Sequence, residues 1–250
     1  KTDTVAVYKT FKNDYITRCV TDPIEESCRV VREIDENTKA VLVIHEFGFP
    51  CKEIMSIKDQ CKKKNIPLIE DCAWAYGTAI DDHVNIGDVG DYAIYSLPKI
   101  LPMQYGGVLK GLEIDDETNW NEFQTLDYFK REIILNQLAQ YLPELSSYNK
   151  KRQENWRYLQ KLFKQDGFEA FGDLEQKTYP GSFVIKTNEV QDLFRRYEDF
   201  SVETGRYYPE DALYLPVHQN LETNQLNYLY GIFRGKLNLS SNYRRDGKRR

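Results

Sequence analysis

The stretch "IPLIEDCAWAYG", residues 66–77, decides how the rest of this chain is read. Its apolar start ends on two carboxylates, Glu70 and Asp71, and then on a small residue, a Trp and a Gly. A short apolar run bounded by turn residues has the character of a buried strand. A carboxylate at the end of such a strand needs a partner, because an unpaired buried charge is costly. Two readings of Asp71 stand at this point. It caps the next segment or pairs with a lysine, or it serves a ligand held outside the carboxyl end of a parallel sheet.

The flanking residues supply the sheet. Upstream, "AVLVIHEF" (residues 40–47) is rich in β-branched residues and predicts a strand covered on both faces. "CKEIMSIKDQCKKKN" (residues 51–65) then places Ile54, Ile57 and Cys61 on one helical face. Lys62, Lys63 and Lys64 close that helix, where positive charge suits the dipole. Strand, helix and strand form a βαβ unit, whose strands run parallel. Downstream, "GDYAIYSL" (90–97) and "GGVLKGLEI" (106–114) predict two further strands. The fold class is therefore α/β, with a mostly parallel central sheet flanked by helices.

Beyond residue 145 the pattern shortens into a smaller α+β domain, giving expected domains of 1–145 and 146–250. "SSYNKKRQENWRYLQKLFKQDG" (146–167) carries Trp156, Leu159, Leu162 and Phe163 on one stripe, with Gly167 as its C-cap. "SFVIKT" predicts a strand, and "NEVQDLFRRYEDF" a helix opened by Asn188 with Val190, Leu193, Phe194 and Tyr197 inward. "ALYLPVH" reads as extended and "ETNQLNYLYGIFRG" as a closing helix.

Composition excludes several classes. A net charge of -5 spread along the chain is opposite to what a phosphate backbone selects, so no nucleic-acid partner is expected. The basic tail "YRRDGKRR" reads as a solvated terminus. No run approaches membrane-spanning length and no leader pattern opens the chain, so a cytoplasmic protein without a membrane partner is expected. Its five cysteines, Cys19, Cys28, Cys51, Cys61 and Cys72, are odd in number and lack zinc spacing. They read as reduced thiols, Cys72 among them as a buried small residue. The three histidines are scattered, and no metal is expected.

Lys99 changes the weighing of Asp71. It lies just past the strand "YAIYSL", three residues after Ser96, and "MQYGG" follows. A lysine and a carboxylate at neighbouring strand ends suit pyridoxal 5′-phosphate. The lysine forms the Schiff base and the acid keeps the pyridine nitrogen protonated. A hydroxyl and backbone N–H groups receive the phosphate.

These segments resemble the DegT/StrS sugar aminotransferases, which have the fold-type-I aminotransferase architecture. "TKAVLVIHEFGFPCKEI" is similar to the family's strand ending in His and Gly with its helix, and "IPLIEDCAWAYGT" to its acid-ended strand. "GDVGDYAIYSLPK" is similar to the strand bearing Ser and Lys, "QYGGVL" to the Gly pair beyond it, and "YYPEDALYLPVHQNL" to the small-domain segment that returns towards the active site. The resemblance implies that Lys99 is the Schiff-base lysine and Asp71 the pyridinium partner, both catalytic. It makes Ser96 a phosphate ligand and Trp74, where the family usually has Gln, a cofactor contact. It implies substrate-side roles for His218 and Tyr105. It also implies a homodimer that moves an amino group, usually from glutamate, to a nucleotide-linked keto sugar for polysaccharide biosynthesis.

The sequence departs from the family in places. Ser96 stands three residues before the lysine, where five is usual. The Gly-Thr or Gly-Ser phosphate turn is not present ahead of "DTVAVYKTF", so the chain reads as short at its N-terminus. The alternative to an enzyme is a degenerate member that binds cofactor weakly or not at all and acts as a scaffold. Of the other polar residues, His45 reads as a locally bonded strand-end histidine, His83 as solvated and Glu70 as a structural partner of a backbone or basic group.

Overall fold

The computed structural model describes Ile34 and residues 38–111, 128–207 and 211–235. The chain divides into two compact units, one of residues 1–146 with 175–179, the other of 147–174 with 180–250. The "YAIYSL" strand and the acid pair belong to the first.

In the first unit a four-stranded sheet runs in the order β1 (Val41–Ile44), β2 (Leu68–Asp71), β3 (Tyr92–Ser96), β4 (Gly107–Lys110). β1, β2 and β3 are parallel, and β4 is antiparallel to β3. Between β1 and β2 the chain crosses over through helix α1 (Ile54–Lys64). Asn65 ends that helix in the left-handed region, with its N–H returned to the carbonyls of Cys61 and Lys62. Ile54, Ile57 and Cys61 are buried and pack with Val41, Val43 and Leu68, as the apolar spacing requires.

The strand expected to be covered on both faces is covered on one. Val41 and Val43 are buried while Leu42 and Ile44 are half-buried, and β2 alternates in the same way. On the outward face Ile94 and Leu109 are exposed, and all four residues of β4 are exposed. α1 packs on the Val41–Val43 side, so an apolar run alone does not report how many faces are covered.

After β3 comes a single turn, α2 (Leu97–Ile100). Gly106 has φ +122, and a Cβ there would press on Leu97 and Ile134. One at Gly107 would meet the carbonyl of Tyr95. These glycines therefore serve the packing of β4 against its own sheet. Helix α3 (Tyr128–Tyr141) follows the undescribed segment 112–127. Its sequence carries no stripe: Ile134 is buried while Ile133 and Leu135 are exposed, which is why apolar spacing did not reveal it.

The second unit contains most of helix α4 (Leu145–Lys164), a sheet of β5 (Ser182–Lys186), β6 (Gly205–Tyr207) and β7 (Ala212–Pro216), and helices α5 (Val190–Asp199) and α6 (Thr223–Phe233). The sheet order is β5-β7-β6, antiparallel throughout. Trp156, Leu159 and Phe163 of α4 are fully buried. Phe183 of β5 lies 5.6 Å from Trp156 and 5.1 Å from Phe163 between ring centroids. Gly167 has φ +81 and closes α4. The start of α5 differs from the expectation: Thr187 Oγ1, rather than Asn188, accepts the N–H of Glu189. Phe194 is half-buried, with the Arg206 guanidinium 4.5 Å from its ring.

Tyr197 is fully buried and its hydroxyl donates to the carbonyl of Leu229 at 2.9 Å. Burial pushes that hydroxyl's pKa up, so it remains a donor at neutral pH. Tyr197→Phe is expected to lower the unfolding free energy by about 1–2 kcal/mol, because the Leu229 carbonyl is left unpaired. Urea unfolding read by circular dichroism checks this.

Candidate active site

Parallel register puts the acid and the lysine at one edge of the first unit's sheet. Ile44 pairs with Asp71, and Asp71 with Ile94. The backbone of the acid pair's end is held from both sides: His45 N–H donates to the Asp71 carbonyl at 3.0 Å, and Cys72 N–H to that of Ile94 at 2.8 Å. The Asp71 side chain is half-buried, and its Oδ1 accepts the N–H of Ala73 at 2.9 Å. One oxygen thus caps the turn that follows.

Lys99 leaves β3 through α2 and is exposed. Its Nζ lies 4.9 Å from the centroid of the Trp74 ring, within cation–π range. Trp74 is three residues after Asp71, so lysine, indole and acid-bearing turn share one strand-end region. Ser96 ends β3 opposite Gly107, half-buried, without capping the turn after it. Tyr105 is half-buried in the loop before β4. His218 belongs to the second unit. There Asn155 Nδ2 donates to the carbonyls of Val217 and His218 at 3.2 and 2.9 Å. Burial, and then the Arg152 charge, hold the His218 pKa below its ordinary value, so the ring is neutral at pH 7. Arg152, itself buried, donates to Gln219 Oε1 at 3.1 Å, and burial lowers its pKa to about 10.

The donor set fits pyridoxal phosphate in its ring-handling half. A carboxylate, an accessible primary amine and an indole stand at adjacent ends of parallel strands, which is the chemistry a Schiff-base lysine and a pyridinium partner need.

Glu70 is the structural partner of backbone and basic groups that the sequence suggested. It is fully buried, on the sheet face opposite Asp71. His45 Nε2 lies 3.1 Å from Glu70 Oε2, and His45 Nδ1 accepts the N–H of Cys51 at 3.1 Å. Gly87 and Val89 N–H donate to Glu70 at 2.8 and 2.9 Å, and Gly90 N–H donates as well. Burial pushes the Glu70 carboxyl up, but the bonds from His45, Gly90 and Gly87 outweigh it, and its pKa lies below the usual value. The signal was the strand's own alternation: a second acid next to Asp71 must face the packed side. His45, Glu70 and Cys72 come within 4.8 Å of one another. Both nitrogens of His45 and both oxygens of Glu70 are engaged in hydrogen bonds, and burial pushes the Cys72 thiol up. That is a bonded pair with a neutral thiol rather than a ligand set.

An open cleft of about 990 Å³ in the second unit, lined by residues such as Asp166, Lys186, Asp211 and Arg234, holds none of the predicted site residues. Arg234 pairs there with Asp166, which also accepts from Tyr230. Among the described residues no helix is long and apolar enough to cross a membrane.

Residues 25–129 match the model of the DegT/DnrJ/EryC1/StrS aminotransferase family. A GDP-perosamine synthase of Vibrio cholerae is 42% identical over 67 residues, 27% of this chain and 18% of that protein. A dTDP-3-amino-3,6-dideoxy-alpha-D-galactopyranose transaminase of Aneurinibacillus thermoaerophilus is 40% identical over 68 residues, again 27% and 18%. The matched stretch thus spans about a fifth of the curated relatives' length. Among solved structures, the sugar aminotransferase CalS13 of Micromonospora echinospora superposes with a TM-score of 0.65 at 17% identity, covering 84% of this chain and 71% of that one. The PLP form of a putative sugar aminotransferase, Spr1654 of Streptococcus pneumoniae, gives 0.64 at 15%, covering 84% and 71%. Over residues 25–129 the chain is similar to the DegT/DnrJ/EryC1/StrS aminotransferase family, and its fold is that of solved sugar aminotransferases.

Proposed function

We propose that this chain is the lysine-bearing part of a pyridoxal-phosphate-dependent aminotransferase that moves an amino group, from glutamate, to a keto group of a nucleotide-linked sugar. The observation that carries the reading is the Lys99 amine 4.9 Å from the Trp74 ring, beside the strand that ends in Asp71. The relatives named as nucleotide-sugar transaminases support the substrate class. A homodimer and a cytoplasmic location are part of the proposal.

In this reading Lys99 would hold the coenzyme covalently, and its free Nζ would serve as the base that moves the substrate-carbon proton. Asp71 keeps a proton on the ring nitrogen. The coenzyme supplies an electron sink for the charge left on the substrate carbon. Trp74 lies against the ring and Ser96 donates to the phosphate. Tyr105 would contact the sugar substrate, and the substrate-side role of His218 rests on the family resemblance alone.

The test mixes purified protein with pyridoxal phosphate, glutamate and a panel of nucleotide-linked keto sugars. A visible absorption band and an aminated sugar are expected. Asp71→Asn is expected to lower turnover about 100-fold or more while the band persists, since proton placement at the ring is lost but the lysine is not. A colourless wild type with coenzyme in excess overturns this reading in favour of a family member that acts as a binding or scaffold protein.

A further inference from the structure

The first unit contains a buried charge that the proposed chemistry does not touch. Glu70 is fully enclosed, where a carboxylate persists only if its donors are all in place. Its four donors come from distinct places. His45 lies just past β1. Gly87, Val89 and Gly90 form the turn that leads into β3. Nδ1 of His45 accepts a backbone N–H, so its proton sits on Nε2 and points at Glu70.

The surroundings are shaped for this contact. A Cβ at Gly90 would come within 2.9 Å of the Leu68 carbonyl and 3.0 Å of Glu70 Cγ. One at Gly87 would collide with the Tyr95 hydroxyl. Just beyond His45, Phe47 has φ 53 although it is bulky and buried. A side chain persists in that conformation only where neighbours over-determine it. The register consequence is direct. The turn bonded to Glu70 sets where β3 begins against β2, with Asp91 N–H on the Leu68 carbonyl at 2.8 Å. That register fixes Ile94 opposite Asp71 and so sets where Lys99 emerges. On the other side, the backbone of His45 holds the Asp71 carbonyl.

We propose that the His45–Glu70 pair is a positioning device for the candidate active site, fixing the ends of β1, β2 and β3 so that the Asp71 carboxylate and the Lys99 amine meet one ring. The inference rests on the proposed coenzyme reading and deepens it. Neither residue touches the coenzyme; both act through the strand ends. Sites of this kind need their groups held within about half an ångström, and losing a supporting contact of this sort costs about tenfold or more.

A double-mutant cycle tests it. The measured quantity is the dissociation constant of pyridoxal phosphate, followed by quenching of tryptophan fluorescence. His45→Leu is expected to weaken binding about tenfold, and His45→Gln, which returns a donor to Glu70, to stay within about twofold of wild type. In an Asp71→Asn background, His45→Leu is expected to add less than about twofold, because the group it positions is already disabled. Nitrogen-15 NMR of the coenzyme-free protein is expected to show the His45 Nε2 proton held by Glu70. Should His45→Leu unfold, Glu70→Gln carries the same cycle. An equal loss in both backgrounds, or no loss in either, overturns the inference and leaves the coenzyme reading standing. A wild type that binds no pyridoxal phosphate overturns the proposed function and this inference with it.

Discussion

Lys99→Ala is expected to remove the visible absorption of the protein with pyridoxal phosphate entirely and to lower transamination at least about 1,000-fold. The size follows from the two tasks given to one amine. It is the attachment point, so its loss ends covalent capture. It is also the proton carrier, and no second amine in the described residues shares its place by the Trp74 ring. Borohydride treatment followed by peptide mass spectrometry is expected to find the coenzyme fixed on Lys99 in wild type and on no residue in the variant. Retention of a full-strength band in Lys99→Ala would move the attachment point elsewhere and sink the reading. Lys99 is exposed, so the substitution should leave the unfolding midpoint within about 0.5 kcal/mol of wild type, as surface changes do.

Glu70→Leu is expected to destabilise the first unit by about 3–5 kcal/mol, because His45 and three backbone N–H groups lose their shared acceptor in a fully buried place. The same carboxylate gives the protein an acid-sensitive contribution. Its folded pKa lies below the ordinary value, so the stabilisation is complete above the ordinary carboxylate pKa. It fades as the pH falls through the lower, folded value. Wild type should therefore lose stability over that acidic window, and Glu70→Leu should lose less of it. Urea midpoints measured as a function of pH check both statements. Asp91 contributes in the same direction. Burial opposes its ionisation, but the N–H of Leu68 and the amine of Lys58 hold its pKa below the ordinary value.

Much of the first unit was legible because its signals are local. The apolar stripe Ile54–Ile57–Cys61 and the lysines behind it made α1. Short apolar runs made β1, β2 and β3. The single residues Asp71 and Lys99 fell at strand ends simply because the runs stop there. Helix α3 escaped because its apolar residues do not share a face. The start of α5 was misplaced because Glu189, which gives no side-chain cap, stands at the N-cap, with its own N–H held by Thr187 Oγ1. Segment 175–179 was read with the C-terminal half, yet it joins the first unit: Ala79 N–H donates to the Lys177 carbonyl at 3.1 Å, and Thr78 Oγ1 accepts the N–H of Tyr179 at the same distance.

By itself the amino-acid sequence determined the alternation of strand and helix, the parallel sense of β1 and β2, and the placing of Asp71 at a strand end and of Lys99 just past another. Those depend on periodicity and on which residue closes a run, and both can be counted along the chain. Only the tertiary structure decided which four donors enclose Glu70, and that the two central glycines of "YGGV" serve packing. The bonds to Glu70 join residues seventeen to twenty-five positions apart, and a contact at that separation exists only once the strands have chosen their register.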